Sequence, residues 1–172
     1  MTGNFKACLE FVLKHEGGWS DHPRDPGGAT MKGVTLAVYQ EFLGRNASKE
    51  ELRNIPDSHL FDIYKILYWD KVRCDHLPVG IDLVVFDMAV NSGVSRSARI
   101  LQRCVGAVAD GIIGPRTIAL VKGIPPKDVV GKFSDGRENF YKSLSTFDTF
   151  GRGWLRRTGE CEDKALQMIG DE

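Results

Sequence analysis

His15-Glu16-Gly17-Gly18-Trp19-Ser20-Asp21-His22-Pro23-Arg24-Asp25-Pro26-Gly27-Gly28-Ala29-Thr30-Met31-Lys32-Gly33-Val34-Thr35 is the stretch that decides how this chain is read. Upstream of it, Phe5, Leu9, Val12 and Leu13 recur at the three- and four-residue spacing of one helical face. Glu16 continues that stripe, four residues past Val12 and three past Leu13. Gly17-Gly18 then suits a left-handed helix stop and lets a ligand come close to the backbone. The loop that follows carries a second carboxylate, Asp25, and leads to two hydroxyls, Thr30 and Thr35. Asp25-Pro26-Gly27-Gly28 reads as a tight turn that fixes where the carboxylate points.

Two readings of Glu16 stand side by side. A carboxylate on an apolar stripe is partly desolvated, which raises its pKa. In the last helical turn, unpaired carbonyls also disfavour its negative form. Both effects favour a protonated acid near neutral pH, the state a general acid needs. One acid on a helix end, another on a neighbouring loop and hydroxyls close by are what cleavage of a glycosidic bond requires. Alternatively, Glu16 is a solvated helix-end charge and the glycines merely make a turn.

At 172 residues the chain fits one compact unit or two small, closely packed ones. Basic and acidic residues balance at 23 each, so bulk charge selects no polyanionic partner and gives no nucleic-acid footprint. Arg152, Arg156 and Arg157 near Trp154 are the local exception, read as a solvated helix face or else as a contact to an anionic wall. Cys8, Cys74, Cys104 and Cys161 show no paired spacing and read as buried free thiols. His15, His22, His59 and His76 are too scattered for a zinc site, so no metal and no cofactor is expected. His15 and Glu16, adjacent on a helix, point apart. The N-terminus lacks a signal-peptide pattern, and no apolar run approaches the ~18 residues of a membrane span, so no stable membrane insertion is expected.

The remainder reads as helices with short connections. Ser48-Lys49-Glu50-Glu51 is a capping box, and Pro56-Asp57-Ser58 starts the next helix. Tyr64 and Tyr68 read as core, and Trp69 as core or as a sugar-stacking ring. Residues 79–91 are almost continuously apolar; periodicity alone does not separate helix from buried strand, and the repeat of Asp82, Phe86 and Val90 at four favours a buried helix. An interior Asp87 needs a partner. It would hold the site's loop by a hydrogen bond or contact a sugar, and Asn91 reads the same way. Ser95 is expected to cap a helix to about Val105, Pro115 to open another, and a long helix to follow Pro125-Pro126 before a final one carrying Trp154 and Ile169. Asn91-Ser92-Gly93 is a weak boundary without a linker, so the parts on either side should share a core.

Glu16-Gly17-Gly18-Trp19-Ser20, Asp25-Pro26-Gly27-Gly28-Ala29-Thr30 and Lys32-Gly33-Val34-Thr35 resemble the phage-type N-acetylmuramidases of glycoside hydrolase family 108, a family of endolysins and secretion-activator lysozymes. Lys32 stands where that family commonly has an aromatic, which removes one stacking contact. Tyr68-Trp69 and Phe86-Asp87-Met88-Ala89-Val90-Asn91-Ser92-Gly93 match the end of the family's catalytic region. Asp110-Gly111-Ile112-Ile113-Gly114-Pro115-Arg116-Thr117 resembles the peptidoglycan-binding-like helical domain often fused to it.

The resemblance implies a mainly α, lysozyme-like helical bundle with a small β-hairpin around residues 20–35. It implies a muramidase catalytic domain over residues 1–93 and a peptidoglycan-binding-like helical domain over 94–172, packed closely on it. The order Glu16, Asp25, Thr30 is similar to the Glu-Asp-Thr triad of phage lysozymes. By that similarity Glu16 protonates the glycosidic oxygen, Asp25 stabilises an oxocarbenium-like transition state or activates water, and Thr30 helps place the water. Trp19, Gly33, Thr35, Trp69, Asp87 and Asn91 are expected to contact substrate. The bond implied lies between N-acetylmuramic acid and N-acetylglucosamine. A carboxyl separation of ~6.5–9.5 Å would mean inversion and ~5–5.5 Å retention.

The competing readings are a lytic transglycosylase, which needs one acid only, and a non-catalytic wall-binding or export-helper module. The expected partners are peptidoglycan glycan strands, with a holin or export system releasing a monomeric protein from the cytoplasm to the periplasm and cell wall.

Overall fold

The computed structural model describes residues 2–23 and 28–172, so Asp25 lies outside the described residues. Two compact units emerge, one formed by Leu9–Leu67 and the other by the segment up to Cys8 with Tyr68–Glu172.

Helix α1 (Thr2–His15) enters the Leu9–Leu67 unit with its second half and ends at the glycine pair, and the Glu16 amide still donates to the Val12 carbonyl at 3.2 Å. The chain then forms a three-stranded antiparallel sheet in place of a single hairpin: β1 (Trp19–Ser20), β2 (Thr30–Met31) and β3 (Val34–Thr35), in that order. Trp19 pairs with Met31 and Ser20 with Thr30; Thr30 in turn faces Thr35, and Met31 faces Val34. The β2–β3 connection is two residues long, with Lys32 at φ 47° and Gly33 at φ 83°. Positive φ at both positions matches the right-handed twist of the strands.

Thr35 ends β3 and caps helix α2 (Leu36–Leu43) by accepting the Val38 amide at 3.1 Å. Ser48 and Glu51 form the expected capping box of α3 (Lys49–Arg53). Helix α4 (Asp57–Tyr64) runs into a π-helical turn, Lys65–Trp69.

The other unit is built on α5 (Ile81–Ser92), in which every residue from Ile81 to Ala89 is buried. Total burial explains the missing periodicity: a helix covered on all sides has no solvent face to mark. It packs against α6 (Val94–Val105), α8 (Pro126–Lys142) and α9 (Phe147–Gly170). Helix α5 and the helices after Gly93 thus share one core. Helix α7 (Pro115–Lys122) starts with its proline in the first turn, as the sequence implies. Ser95 does not cap α6; Gly93 occupies the cap position at φ 101°, and no side chain caps there. Phe5, Trp69 and Phe86 meet edge-on at centroid distances of 5.1, 5.7 and 5.3 Å. Each such pair adds about 0.5–1.5 kcal/mol beyond the area it buries. Burial also pushes the thiols of Cys8, Cys74 and Cys161 up, which keeps them protonated packing groups.

Two buried carboxylates on α5 behave oppositely. Asp87 is gripped by Arg137 at 2.8 Å and Arg157 at 2.7 Å. Burial opposes its ionisation, but the two guanidiniums outweigh it and hold the carboxyl below its usual range. Asp82 accepts from Asn4 and from the Gly80 and Leu83 amides, yet burial dominates and pushes its carboxyl up to about 6.

Asp87→Ala strands two cations in the core and is expected to lower unfolding free energy by about 3–5 kcal/mol, read from urea denaturation; a loss under ~1 kcal/mol would mean that the pair is not an anchor. For Asp82 the folded value lies above that of the unfolded chain, so the native state holds the proton more tightly. Its stabilising contribution is therefore complete at low pH and is lost as pH rises through about 6. Unfolding free energy followed between about pH 4 and pH 7 should fall through this group in wild type, and Asp82→Asn should flatten the slope. Equal slopes in the two proteins would remove Asp82 as the source.

Candidate active site

The Glu16 carboxylate sits half-buried just past the end of α1. Its surroundings are defined by the hairpin tip. A Cβ at Gly33 would lie 2.9 Å from Glu16 Oε2 and 2.5 Å from Tyr64 Oη. Glycine is therefore required twice here, by its positive φ and by the carboxylate and phenol pressed against it. Tyr64, 1% exposed, donates to the Lys32 carbonyl at 2.6 Å, and the Lys32 amide donates to the Gly18 carbonyl at 3.4 Å. The phenol thus fastens the β2–β3 turn beside the acid.

Tyr64 had the look of plain core in the sequence; its role at the site depends on a contact 32 residues away, which no local pattern carries. Beside Glu16 lies an open depression of about 420 Å³, bordered by Leu13, Lys14, Gly17, Gly18 and Lys32. A side chain at Gly17 or Gly18 would meet nothing within 4 Å. Packing does not require glycine there, and a bare backbone keeps the approach to the acid open.

Several other residues singled out in the sequence share this unit. Trp19 is half-exposed on β1, with the Arg53 guanidinium 5.7 Å from its ring centre. Thr30 is half-exposed on β2 and lies across from Thr35 on the same face of the sheet. The Thr35 oxygen accepts the Val38 amide of α2, which does not engage its O–H as a donor. His15 lies 4.7 Å from the Phe11 ring.

Trp69, Asp87 and Asn91 belong to the other unit, and two of them correct the sequence reading. Trp69 is wholly buried, edge-on to Phe5 and Phe86, with its indole N–H donating to Asp75 at 2.9 Å. An indole with no exposed face offers a sugar nothing to stack on. Asp87 is also fully buried and spent on two arginines, so it is a structural anchor and no sugar contact. Arg157 correspondingly leaves the solvated face assigned to it, whereas Arg152 and Arg156 are exposed. Asn91 is half-buried, and its carboxamide oxygen accepts from the Tyr141 and Ser92 hydroxyls.

Residues 9–93 match the family model described as Glycosyl hydrolase 108. The structure of Brucella abortus SagA matches with a TM-score of 0.88 and 39% identity, over 98% of this chain and 97% of that one. The chain belongs to glycosyl hydrolase family 108. Residues 96–159 match a second model, described as Predicted Peptidoglycan domain. Nothing among curated proteins matches the chain. As a family 108 member with that second domain, the chain is a glycoside hydrolase of peptidoglycan, and its mainly helical fold with a small sheet is the lysozyme-like one.

Gly33→Ala in this family 108 hydrolase is expected to displace both the carboxylate and the phenol and to lower activity well beyond a stability loss of about 1 kcal/mol. Tyr64→Phe, which frees the turn without adding bulk, should lower activity less. Turnover of a peptidoglycan suspension by both variants, measured alongside their thermal midpoints, checks this. Unchanged turnover in Gly33→Ala would detach the hairpin tip from the chemistry.

Proposed function

We propose that the enzyme is an N-acetylmuramidase that cleaves between N-acetylmuramic acid and N-acetylglucosamine, with Glu16 as its general acid. The observation that carries this reading is the placement of one half-buried carboxylate at a helix end, close against Gly33, on which the Tyr64 hydroxyl also closes, beside an open depression whose backbone is bare. Glu16 delivers its proton to the glycosidic oxygen as the C1–O bond breaks, and the sugar left behind carries oxocarbenium character. Asp25 serves as the second carboxylate, stabilising that charge or taking a proton from the attacking water, and Thr30 helps to place the water. Trp19 offers a half-exposed ring to a sugar, Gly33 borders the acid, and Thr35 and Asn91 are proposed as further contacts to the strand through their own hydrogen-bonding groups. Lys32, in the family's aromatic position, contributes a cation instead of a stacking face.

We take residues 1–93 as the catalytic domain and 94–172 as the wall-binding one. The protein would work as a monomer on glycan strands, held in the cytoplasm and released to the periplasm by a holin or an export system, as a phage-type endolysin or secretion activator is.

Purified wild type and Glu16→Gln incubated with peptidoglycan, with released muropeptides identified by mass spectrometry, test the mechanism. Wild type should release disaccharide peptides with a free reducing end, and Glu16→Gln should be slower by about 10²–10⁴-fold. Products ending in a 1,6-anhydro sugar would replace the hydrolase with a lytic transglycosylase. Equal release by both proteins would remove Glu16 as the acid, and no release by either would leave a wall-binding module.

A further inference from the structure

A groove of about 750 Å³ runs between α6 and α8, and none of the residues assigned to the chemistry lines it. The two helices run antiparallel along it. The Arg96 guanidinium stands 4.4 Å over the Phe140 ring at one end, a Cβ on Gly136 would come within 3.1 Å of Ile100 in the middle, and Lys132 acts electrostatically on Cys104 at the other end. On this side the lining residues run from Lys132 on α8 to Ser143 at its C-cap. At ~1.5 Å of rise per residue that is a trough of ~16 Å, the length of about five residues of extended peptide.

Its charge is distributed in a particular way. Cations stand at both ends, Arg96 at one and Arg103 with Lys132 at the other, while Asp135 and Asn139 lie along the α8 wall between them. Neither Arg103 nor Lys132 has an ion-pair partner among the described residues. The waist is apolar, formed by Ile100 against the bare Gly136. A uniformly anionic polymer would place repeated charge against Asp135, and a neutral glycan would leave three cations unanswered. The complementary ligand is a short extended chain with carboxylates near its ends and an amine or amides between them.

We propose that this groove binds the anionic peptide stem of peptidoglycan, with stem carboxylates on Arg96, Arg103 and Lys132. The inference rests on peptidoglycan as the enzyme's substrate and adds which part of the polymer is recognised. Carboxylate–guanidinium contacts fix both the position and the direction of the stem. Asp135 receives the free amine of a dibasic third residue, and Asn139 meets the stem's amides.

The proposal is tested by titrating the full chain with the synthetic stem tetrapeptide L-Ala-γ-D-Glu-meso-diaminopimelyl-D-Ala. Heteronuclear NMR of wild type should show shifts concentrated in α6 and α8; shifts confined to other helices would overturn the assignment. Arg103→Glu/Lys132→Glu should weaken binding by about tenfold or more, the loss expected from one charged hydrogen bond. Arg103→Gln/Lys132→Gln serves if the reversal impairs folding, and affinity equal to wild type in the folded variant would sink the proposal. Retention on intact sacculi should exceed retention on amidase-stripped glycan strands. Equal retention on the two, or a polyphosphate that displaces the tetrapeptide as well as a second stem does, would also overturn it. Failure of the hydrolase reading would show separately, as no cleavage by wild type of the stripped strands, which carry no stem for the groove to hold, or of intact sacculi.

Discussion

Everything in the larger unit is arranged around one buried charge. Taking a carboxylate out of water costs several kcal/mol even after the surroundings relax, and Asp87 has no exposed surface at all. Arg137 from α8 and Arg157 from α9 answer it, so a residue on α5 fixes the rotation of two helices that arrive 50 and 70 residues later. The network continues outward. Arg137 donates to the Tyr141 hydroxyl at 3.0 Å, Tyr141 donates to Asn91 one turn beyond Asp87, and the Tyr141 ring stacks on Trp154 at 5.0 Å. Apolar packing would be satisfied by several slightly rotated arrangements of these helices; the bidentate charge contacts accept only one. Among the described residues Arg137 Nη2 has no hydrogen-bond partner.

The same physics decides how much could be read in advance. Local signals were legible: the apolar stripe of α1 that ends at Glu16, the Ser48–Glu51 capping box, the proline opening α7, and the buried run that became α5. Each depends on neighbours within a turn or two of the chain. What the sequence hid depends on partners far along it. Trp69 is a plausible sugar platform until Phe5 and Phe86 close over it, and Arg157 belongs to a solvated arginine cluster until Asp87 claims it. Tyr64 counts as core on composition, and it is core; that its hydroxyl also fastens the Lys32 carbonyl beside the acid requires the hairpin to be in place. The need for a partner at Asp87 was visible, but the partner's identity was not.

At the acid, fold and chemistry meet in the two-residue turn. Lys32 holds a φ of 47°, uncommon for a residue with a side chain, because the strand register demands positive φ at both turn positions. A one-residue slip of register would turn every side chain of a strand to the other face, and here it would also replace Gly33 with a side chain facing Glu16 and Tyr64. The constraint therefore works in both directions: the site needs the bare residue, and the bare residue marks the only register the site allows. The Tyr64 hydroxyl and the Gly18 carbonyl hold the turn through the Lys32 backbone, so the acid is positioned by main-chain geometry as much as by side-chain packing.

A polymer substrate changes what binding should accomplish. Contacts that hold the sugars equally well before and during bond cleavage deepen the ground state and leave the barrier unchanged. Holding the strand by its peptide stems places that affinity on a part of the substrate that does not react, leaving the contacts around Glu16 free to strengthen only as the glycosidic oxygen takes its proton. Weak individual grips suffice, because stems recur along an insoluble strand and each rebinding is effectively intramolecular. A groove with three cations, one carboxylate and an apolar waist meets that need. Ion pairs at an open surface are modest and exchange readily, which lets the enzyme hold the wall without being immobilised on it.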